Sequence, residues 1–441
     1  MDCIEVQIDR VVGPTHHFGG LGVGNLASQS HHGQASNPAA AAIQGLDKMQ
    51  RVAELGIPQL VLPPMWRPDW SFLRSVGFSG TKSEILARAA GESPHVLSAA
   101  MSCSAMWTAN AATVAPSIDS TSSQPIVTVA NLSASIHRAL EPSQTHRQLR
   151  LLLGDVCEIR APLQGGAAMR DEGAANHMRL SRGDGTGGFH LFVYGDGEPM
   201  PLLHWPRQTE ESVKAIARAH SLPPGRAFFL KQHPAAIDAG AFHNDVVAMS
   251  HHNLLIHHEH AFADGSEEVL EDLRSGFEEL NGVELHIVSV PDHQLSLEEA
   301  VATYLFNSQI LTPHDQGASR VLLCPVEVSR HENARRLVES WRSEGTFDLV
   351  DYVDLGQSMD GGGGPACLRL RLPLLPQEID RLPLAGRWST DLDRRLRESI
   401  ERNYSRRVTL ETLAREDFAE QASTATAEIA AILGDTGRDL P

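Results

Sequence analysis

Short apolar runs of strand length recur near 4–8, 125–131, 188–194, 227–231, 245–249, 283–290, 319–326, 347–353 and 367–373. Stretches of helical period lie between many of them, at 82–90, 143–153, 209–220, 266–280, 296–311, 331–343 and 389–403. Such alternation predicts an α/β architecture, because each helix must lay its apolar stripe on a neighbouring sheet. Ile4, Val6 and Ile8 alternate with Glu5, Gln7 and Asp9, which predicts a half-buried strand. Asn37 and Pro38 open a helix as cap and first turn, with Ile43, Leu46, Met49, Val52 and Leu55 on its buried face. Ser296 and Glu299 form a capping box for the 296–311 helix, which Tyr304 and Ile310 carry into the core. No linker, low-complexity segment or clear repeat interrupts the pattern, so residues 1–441 read as one domain. A polar helical tail from about 405 is expected on its outside. Pattern alone leaves a doubly wound sheet, a barrel and a propeller of small αβ units open.

Composition narrows the function. Of 441 residues, 41% are apolar, enough for a large core, and the formal net charge is −18. An acidic surface argues against nucleic acid or an anionic membrane as partner, because both require a basic face. It suits a cationic substrate, and it also simply aids solubility. The first residues carry no basic region followed by an apolar one, and no apolar run reaches the roughly 18 residues of a membrane span, so no leader and no membrane segment are expected. Five scattered cysteines (Cys3, Cys103, Cys157, Cys324, Cys367), none spaced as C-x-x-C, argue for a reducing cytoplasm and against a disulfide framework or zinc site.

Gly361-Gly362-Gly363-Gly364-Pro365-Ala366-Cys367 precedes a strand whose leucines share one face, with Cys367, Arg369 and Arg371 on the other. A glycine run permits close approach of a ligand or another chain segment. Neighbouring cations favour a thiolate, so Arg369 and Arg371 are expected to lower the Cys367 pKa. A flexible turn beside a small buried residue explains the segment equally well. Phe242-His243-Asn244-Asp245 sets a proton-transfer residue and a carboxylate at a strand's start, and Asp171-Glu172 lies in an irregular polar stretch of small residues. With 22 histidines in the chain, no single one is strong evidence, and loop carboxylates are usually only solvated.

The cluster from His251 to His260 lacks the spacing of a helical H-E-x-x-H metal motif. It reads better as the turn and second strand of a hairpin beginning at Val246, and a metallohydrolase is a distant alternative. The loop Gly19-Gly20-Leu21-Gly22-Val23-Gly24 is set apart from strand and helix on both sides, unlike a dinucleotide fingerprint. No G-x-S-x-G elbow or Walker sequence is present.

Taken together these segments resemble the N-succinylarginine dihydrolase family. The likeness is carried by 12–28, Met106-Trp107-Thr108-Ala109-Asn110, Ile136-His137-Arg138, 171–177, Pro206-Arg207-Gln208-Thr209, 242–245, 303–309 and 362–369, in the family's order and over nearly the whole chain. The resemblance implies the guanidine-modifying, or pentein, fold: a five-bladed αβ-propeller with pseudo-fivefold symmetry. It implies hydrolysis of N2-succinyl-L-arginine by two waters to N2-succinyl-L-ornithine, carbon dioxide and two ammonia, without cofactor or metal, in a homodimer. A deiminase that stops at the ureido product, or a non-catalytic binding descendant, are the alternatives.

The family's motifs, carried over position by position, make Cys367 the nucleophile, His243 the acid and base, and Glu172 the third catalytic residue. Substrate binding falls to Gly19, Gly20, Leu21, Gly22, Val23, Gly24, Asn25, Leu26, Ala27, Ser28, Asn110, His137, Arg138, Arg207, Asp245 and Gly361. Arginine suits the substrate's carboxylates because its planar fork matches them. One position departs from the pattern: the family commonly has Asn where Gly361 stands, with Asp360 before it.

Overall fold

The computed structural model describes residues 2–122, 124–313 and 319–435. Its strands are β1 (Ile4–Arg10), β2 (Gln59–Leu62), β3 (Ala112–Ala115), β4 (Ile126–Val129), β5 (Glu158–Arg160), β6 (His177–Leu180), β7 (Phe189–Tyr194) and β8 (Ala227–Lys231). They continue with β9 (Ala248–His251), β10 (Leu254–His258), β11 (His286–Val290), β12 (Gln309–Leu311), β13 (Val321–Pro325), β14 (Leu349–Val353) and β15 (Arg369–Leu374).

These strands form five separate three-stranded sheets: β15-β1-β2, β3-β4-β5, β6-β7-β8, β9-β10-β11 and β12-β13-β14. Every sheet has the same grammar. Its central strand pairs antiparallel with one neighbour and parallel with the other. A parallel partner must be reached by a crossover, and here a helix supplies each one: Pro38–Glu54, Pro142–Leu153, Glu210–Ala219, Ser266–Asn281 and Glu332–Ser343. The first sheet takes its third strand from the far end of the chain, with Ile4 opposite Leu374 and Asp9 opposite Arg369. Five like sheets fit a pseudo-fivefold arrangement and set aside the doubly wound sheet.

The expected strands are present, except that the one read at 245–249 begins later, at Ala248 after a 3-10 turn (Asn244–Val246); the hairpin at the histidine cluster turns in two residues, His252 and Asn253, with His252 at φ 50°. Three readings need correction. The 296–311 helix stops at Thr303: Tyr304 adopts φ 53°, and a 3-10 turn (Leu305–Asn307) then leads into β12. The capping box at Ser296 is present, and Tyr304 and Ile310 are buried, so the start and the inward course were read correctly. Second, β1 is buried on both faces. Val6 and Ile8 enter the apolar core, while Gln7 donates to Glu5 at 3.1 Å and Asp9 pairs with the fully buried Lys48. Alternating polar residues here mark a polar interior, which period alone does not separate from solvent. Third, the tail helix Glu416–Ile432 is less polar than read: it buries Phe418, Ala422, Ala425 and Ile429, packing on Thr390–Asn403.

Candidate active site

Six segments adjoining four of the sheets converge on one small cavity of about 50 Å³, whose lining includes Cys367, His243, Arg138, Arg207, His137 and Asn110. The glycine run delivers the cysteine. Gly362 lies at φ 98°, and a Cβ there would sit 2.0 Å from Asn25 Nδ2, which donates to the Gly362 carbonyl at 3.0 Å. At Gly363 a Cβ would meet Trp107 Nε1 at 2.2 Å. The close approach anticipated for this run is thus made by protein side chains that clamp the loop. Beyond it, the Cys367 N–H donates to Asn307 Oδ1 at 3.1 Å, and its carbonyl accepts from the Ala109 N–H at 3.0 Å. Asn307 also accepts from the Ala366 N–H and donates to the Asp245 carbonyl, so this fully buried residue ties the cysteine loop to the Asp245 loop.

His243 and Glu172 meet behind the cavity wall, with His243 Nε2 2.9 Å from Glu172 Oε2. Both are buried. Burial opposes ionisation of Glu172, but the His243 contact and the charges of Arg138 and Arg207 outweigh it and hold its pKa at about 2. Burial, aided by the same two arginines, pulls His243 down to about 4 against the pull of Glu172. The histidine is therefore neutral at pH 7. A carboxylate only accepts, so Nε2 carries the proton and Nδ1 is the basic nitrogen, and Nδ1 has no hydrogen-bond partner. That is the state a general base needs. Glu172 is itself held by Gln208, which accepts its N–H at 2.7 Å, and by Asn110, which donates to its carbonyl at 2.8 Å.

The cysteine overturns one expectation. Burial and the charge of Asp245, whose Oδ2 lies 3.6 Å from Sγ, push the Cys367 thiol well above its ordinary pKa. Arg369 and Arg371 do not lower it: both line a different cavity, and Arg371 pairs with Glu5 at 2.7 Å. The resting thiol is protonated. Alkylation of Cys367 by iodoacetamide, followed by peptide mass, is accordingly expected to be slow at pH 7 and to rise only beyond pH 9. Rapid labelling at pH 7 would contradict this reading.

Asp245 is raised by burial to about 7, against hydrogen bonds from Cys367 and Asn307. An unfolded aspartate titrates near about 3.9. The folded state thus holds an extra proton between these values, and the stability it brings is full below about pH 4 and lost as pH rises through about 7. Asp245→Asn removes this slope, worth about 1.4 kcal/mol per pH unit within that window. Urea unfolding at pH 5 and pH 8 should show a smaller difference for the variant than for the parent. Equal differences would contradict the assignment.

The cations are placed to receive anions. Arg138 Nη1 lies 3.9 Å from Glu172 Oε2, yet its Nε and Nη2 are buried without hydrogen-bond partners. Arg207 lies over the Phe242 ring at 4.6 Å and donates to the Val23 carbonyl. Of the glycine loop, Gly19, Gly20, Leu21, Gly22, Asn25 and Ser28 line the cavity, whereas Val23, Gly24, Leu26 and Ala27 do not. Val23 and Leu26 are turned to solvent, 58% and 45% exposed, because Asn25 caps a short helix that leads the chain outward. Asp245 borders the neighbouring cavity and reaches this one only through its contact with Cys367. Gly361 lines the wall, where a Cβ would meet Trp107 Cζ2 at 3.1 Å, while Asp360 turns away to His31 at 3.4 Å and does not stand in for an asparagine. His16, His17 and Trp107 also line the cavity and were not singled out from sequence; they lie within or beside the quoted stretches, but residue type alone does not flag them.

The histidine cluster is dispersed. His251 Nε2 bonds Thr312, His252 Nδ1 bonds Ser181, and His258 Nε2 bonds the Leu295 carbonyl. Among the described residues no three His, Cys, Asp or Glu side chains are grouped to hold a metal ion.

The architecture is shared with a solved arginine dihydrolase. The product-bound N-terminal domain of ArgZ, an arginine dihydrolase of cyanobacteria, superposes with a TM-score of 0.52 over 83% of this chain and 97% of that domain, at 15% identity. This likeness is one of fold: an α/β architecture shared with that arginine dihydrolase domain. A family model described as succinylarginine dihydrolase matches residues 2–437. The N-succinylarginine dihydrolase of Chromohalobacter salexigens is 43% identical over 98% of this chain and 97% of its own length. That of Idiomarina loihiensis is 40% identical over 98% of each. The chain belongs to the succinylarginine dihydrolase family.

Among the described residues no helix is long and apolar enough to cross a membrane.

Proposed function

We propose that this chain hydrolyses N2-succinyl-L-arginine with two waters to N2-succinyl-L-ornithine, carbon dioxide and two ammonia, in arginine catabolism by the succinyltransferase route. The observation that carries it is the ionised Glu172 holding neutral His243 at 2.9 Å beside the cavity that Cys367 lines. Activation follows from the thiol's environment. A protonated cysteine next to Asp245 loses its proton when a guanidinium cation arrives and offsets the local negative charge. His243 takes that proton through Nδ1, and the sulfur attacks the guanidinium carbon. The C–N bond to one terminal nitrogen breaks, the imidazolium returns its proton, and ammonia leaves. Glu172 stabilises the imidazolium meanwhile. Water, deprotonated by the same nitrogen, displaces the thiol and gives the ureido compound. A second passage forms a thiocarbamate and expels the second ammonia. Hydrolysis then yields an N-carboxy amine, which loses carbon dioxide.

Arg138, whose Nη2 has no partner while Nε and Nη1 face Glu141 and Glu172 at 3.8 and 3.9 Å, and Arg207 receive the carboxylates of the succinylated amino acid. The five like sheets close into a five-bladed propeller around the site, and the β1–β15 pairing is the seam. In this reading residues 1–441 form one domain, the protein is a cytoplasmic homodimer, and no cofactor is needed. The test is product analysis with N2-succinyl-L-arginine and free arginine run side by side. Succinylornithine with two ammonia per substrate, and no consumption of arginine, is expected. A stop at the ureido compound with one ammonia would make the chain a deiminase, and binding without turnover a non-catalytic descendant.

A further inference from the structure

A second cavity of about 410 Å³ lies on the other side of Asp245, lined among others by Arg369, Arg371, Glu5, Ser250 and Asp245. Its charges are mostly spent. Arg371 is paired with Glu5 at 2.7 Å and donates to the Ser250 carbonyl at 3.0 Å. Glu5 also accepts from Gln7, and Asp9, opposite Arg369 in the sheet, is paired with Lys48. Arg179, another lining residue, is held by Asp119. Arg369 is the exception. Among the described residues its guanidinium has no ion pair and no hydrogen bond, and its Nε is buried and unsatisfied. The Ser250 hydroxyl on the same wall is also buried without a partner. Desolvation and the nearby Arg371 pull Arg369 down to about 10, so it stays a cation at pH 7. Glu5, Asp245 and Asp9 oppose that shift, Glu5 most, but Glu5 and Asp9 are already paired and burial holds Asp245 to about 7. Arg369 is half-buried with its Nε fully enclosed, and an unpaired, partly desolvated planar fork of N–H donors is best satisfied by an oxyanion.

We propose that this cavity is an oxyanion site, in which Arg369 binds a small carboxylate, bicarbonate or phosphate and the Ser250 hydroxyl donates a further hydrogen bond. Bicarbonate has a source in the reaction proposed above, whereas phosphate and carboxylates would come from solution. An occupant here sits behind the cysteine and shares Asp245 with it.

Titration calorimetry of the full chain with sodium bicarbonate, inorganic phosphate and acetate, each alone, tests it. At least one anion per chain is expected, and the arm whose binding Arg369→Met weakens names the source. Arg369→Met is expected to weaken binding at least about tenfold and Arg369→Lys much less, because the lysine keeps the charge. Arg138→Met, which alters only the first cavity, should leave the affinity unchanged. If Arg369→Met fails to fold, Ser250→Ala, expected to be about fivefold weaker, decides instead. No binding of any anion, unchanged affinity in the deciding variant, or loss in Arg138→Met would each overturn the assignment.

Discussion

Cys367→Ala is expected to remove ammonia release from N2-succinyl-L-arginine altogether, a loss of at least about 10⁴-fold in kcat, while the protein stays folded. The magnitude follows because the cavity's other thiol, Cys103, has its pKa raised by burial and is held at the Thr15 hydroxyl at 3.1 Å, and the remaining residues only bind and polarise. The fold survives because the backbone of Cys367, not its side chain, makes the hydrogen bonds to Asn307 and Ala109. Removing the sulfur loses only side-chain contacts, among them those to Asn307 and Gly364 and that to Asp245 at 3.6 Å. Steady-state ammonia assays with circular dichroism check it; retained turnover in a folded variant would remove Cys367 from the mechanism.

Glu172→Gln is expected to lower kcat about 10²- to 10⁴-fold, with a smaller change in KM. The substitution keeps the size of the side chain and the hydrogen bonds that hold its backbone, Gln208 to the N–H and Asn110 to the carbonyl. What changes is the charge at 2.9 Å from His243 Nε2. Without it the imidazolium formed on taking the thiol proton has no counter-ion, and Arg138 and Arg207 further disfavour it. An amide also offers either a donor or an acceptor, so the tautomer that leaves Nδ1 basic is no longer enforced. A kcat within threefold of the parent would show that Glu172 only supports the loop.

Legibility from sequence divided along physical lines. The long amphipathic helices were found, though not the shorter Trp70–Ser75 and Pro94–Met101, and so were most strands. Five were not, β2, β3, β5, β6 and β12, at three or four residues each, because so short a run carries no period. Those strands complete the sheets, so the fivefold grammar was invisible until they were placed; only the family resemblance implied it. Within the site, Cys367, His243 and Glu172 announced themselves weakly by residue type and strongly by motif. Asn307 was unreadable, since its role is to bridge two loops that meet only in three dimensions. The thiol's protonation was misread for the same reason: Arg369 and Arg371 are near Cys367 in sequence, but their side chains point into the other cavity, and the charge that matters belongs to Asp245, distant along the chain. Val23 and Leu26 turn their side chains to solvent although Asn25 and Ser28 of the same segment line the cavity, because belonging to a motif does not fix which way a side chain faces.

The most direct measurement is a single-turnover reaction with N2-succinyl-L-arginine labelled at the guanidinium carbon, quenched in acid and digested for peptide mass. The account predicts the label on the peptide containing Cys367, at the mass of an amidino or carbamoyl adduct carrying the succinylornithine skeleton. Turnover that proceeds with no label on that peptide at any quench time would contradict it.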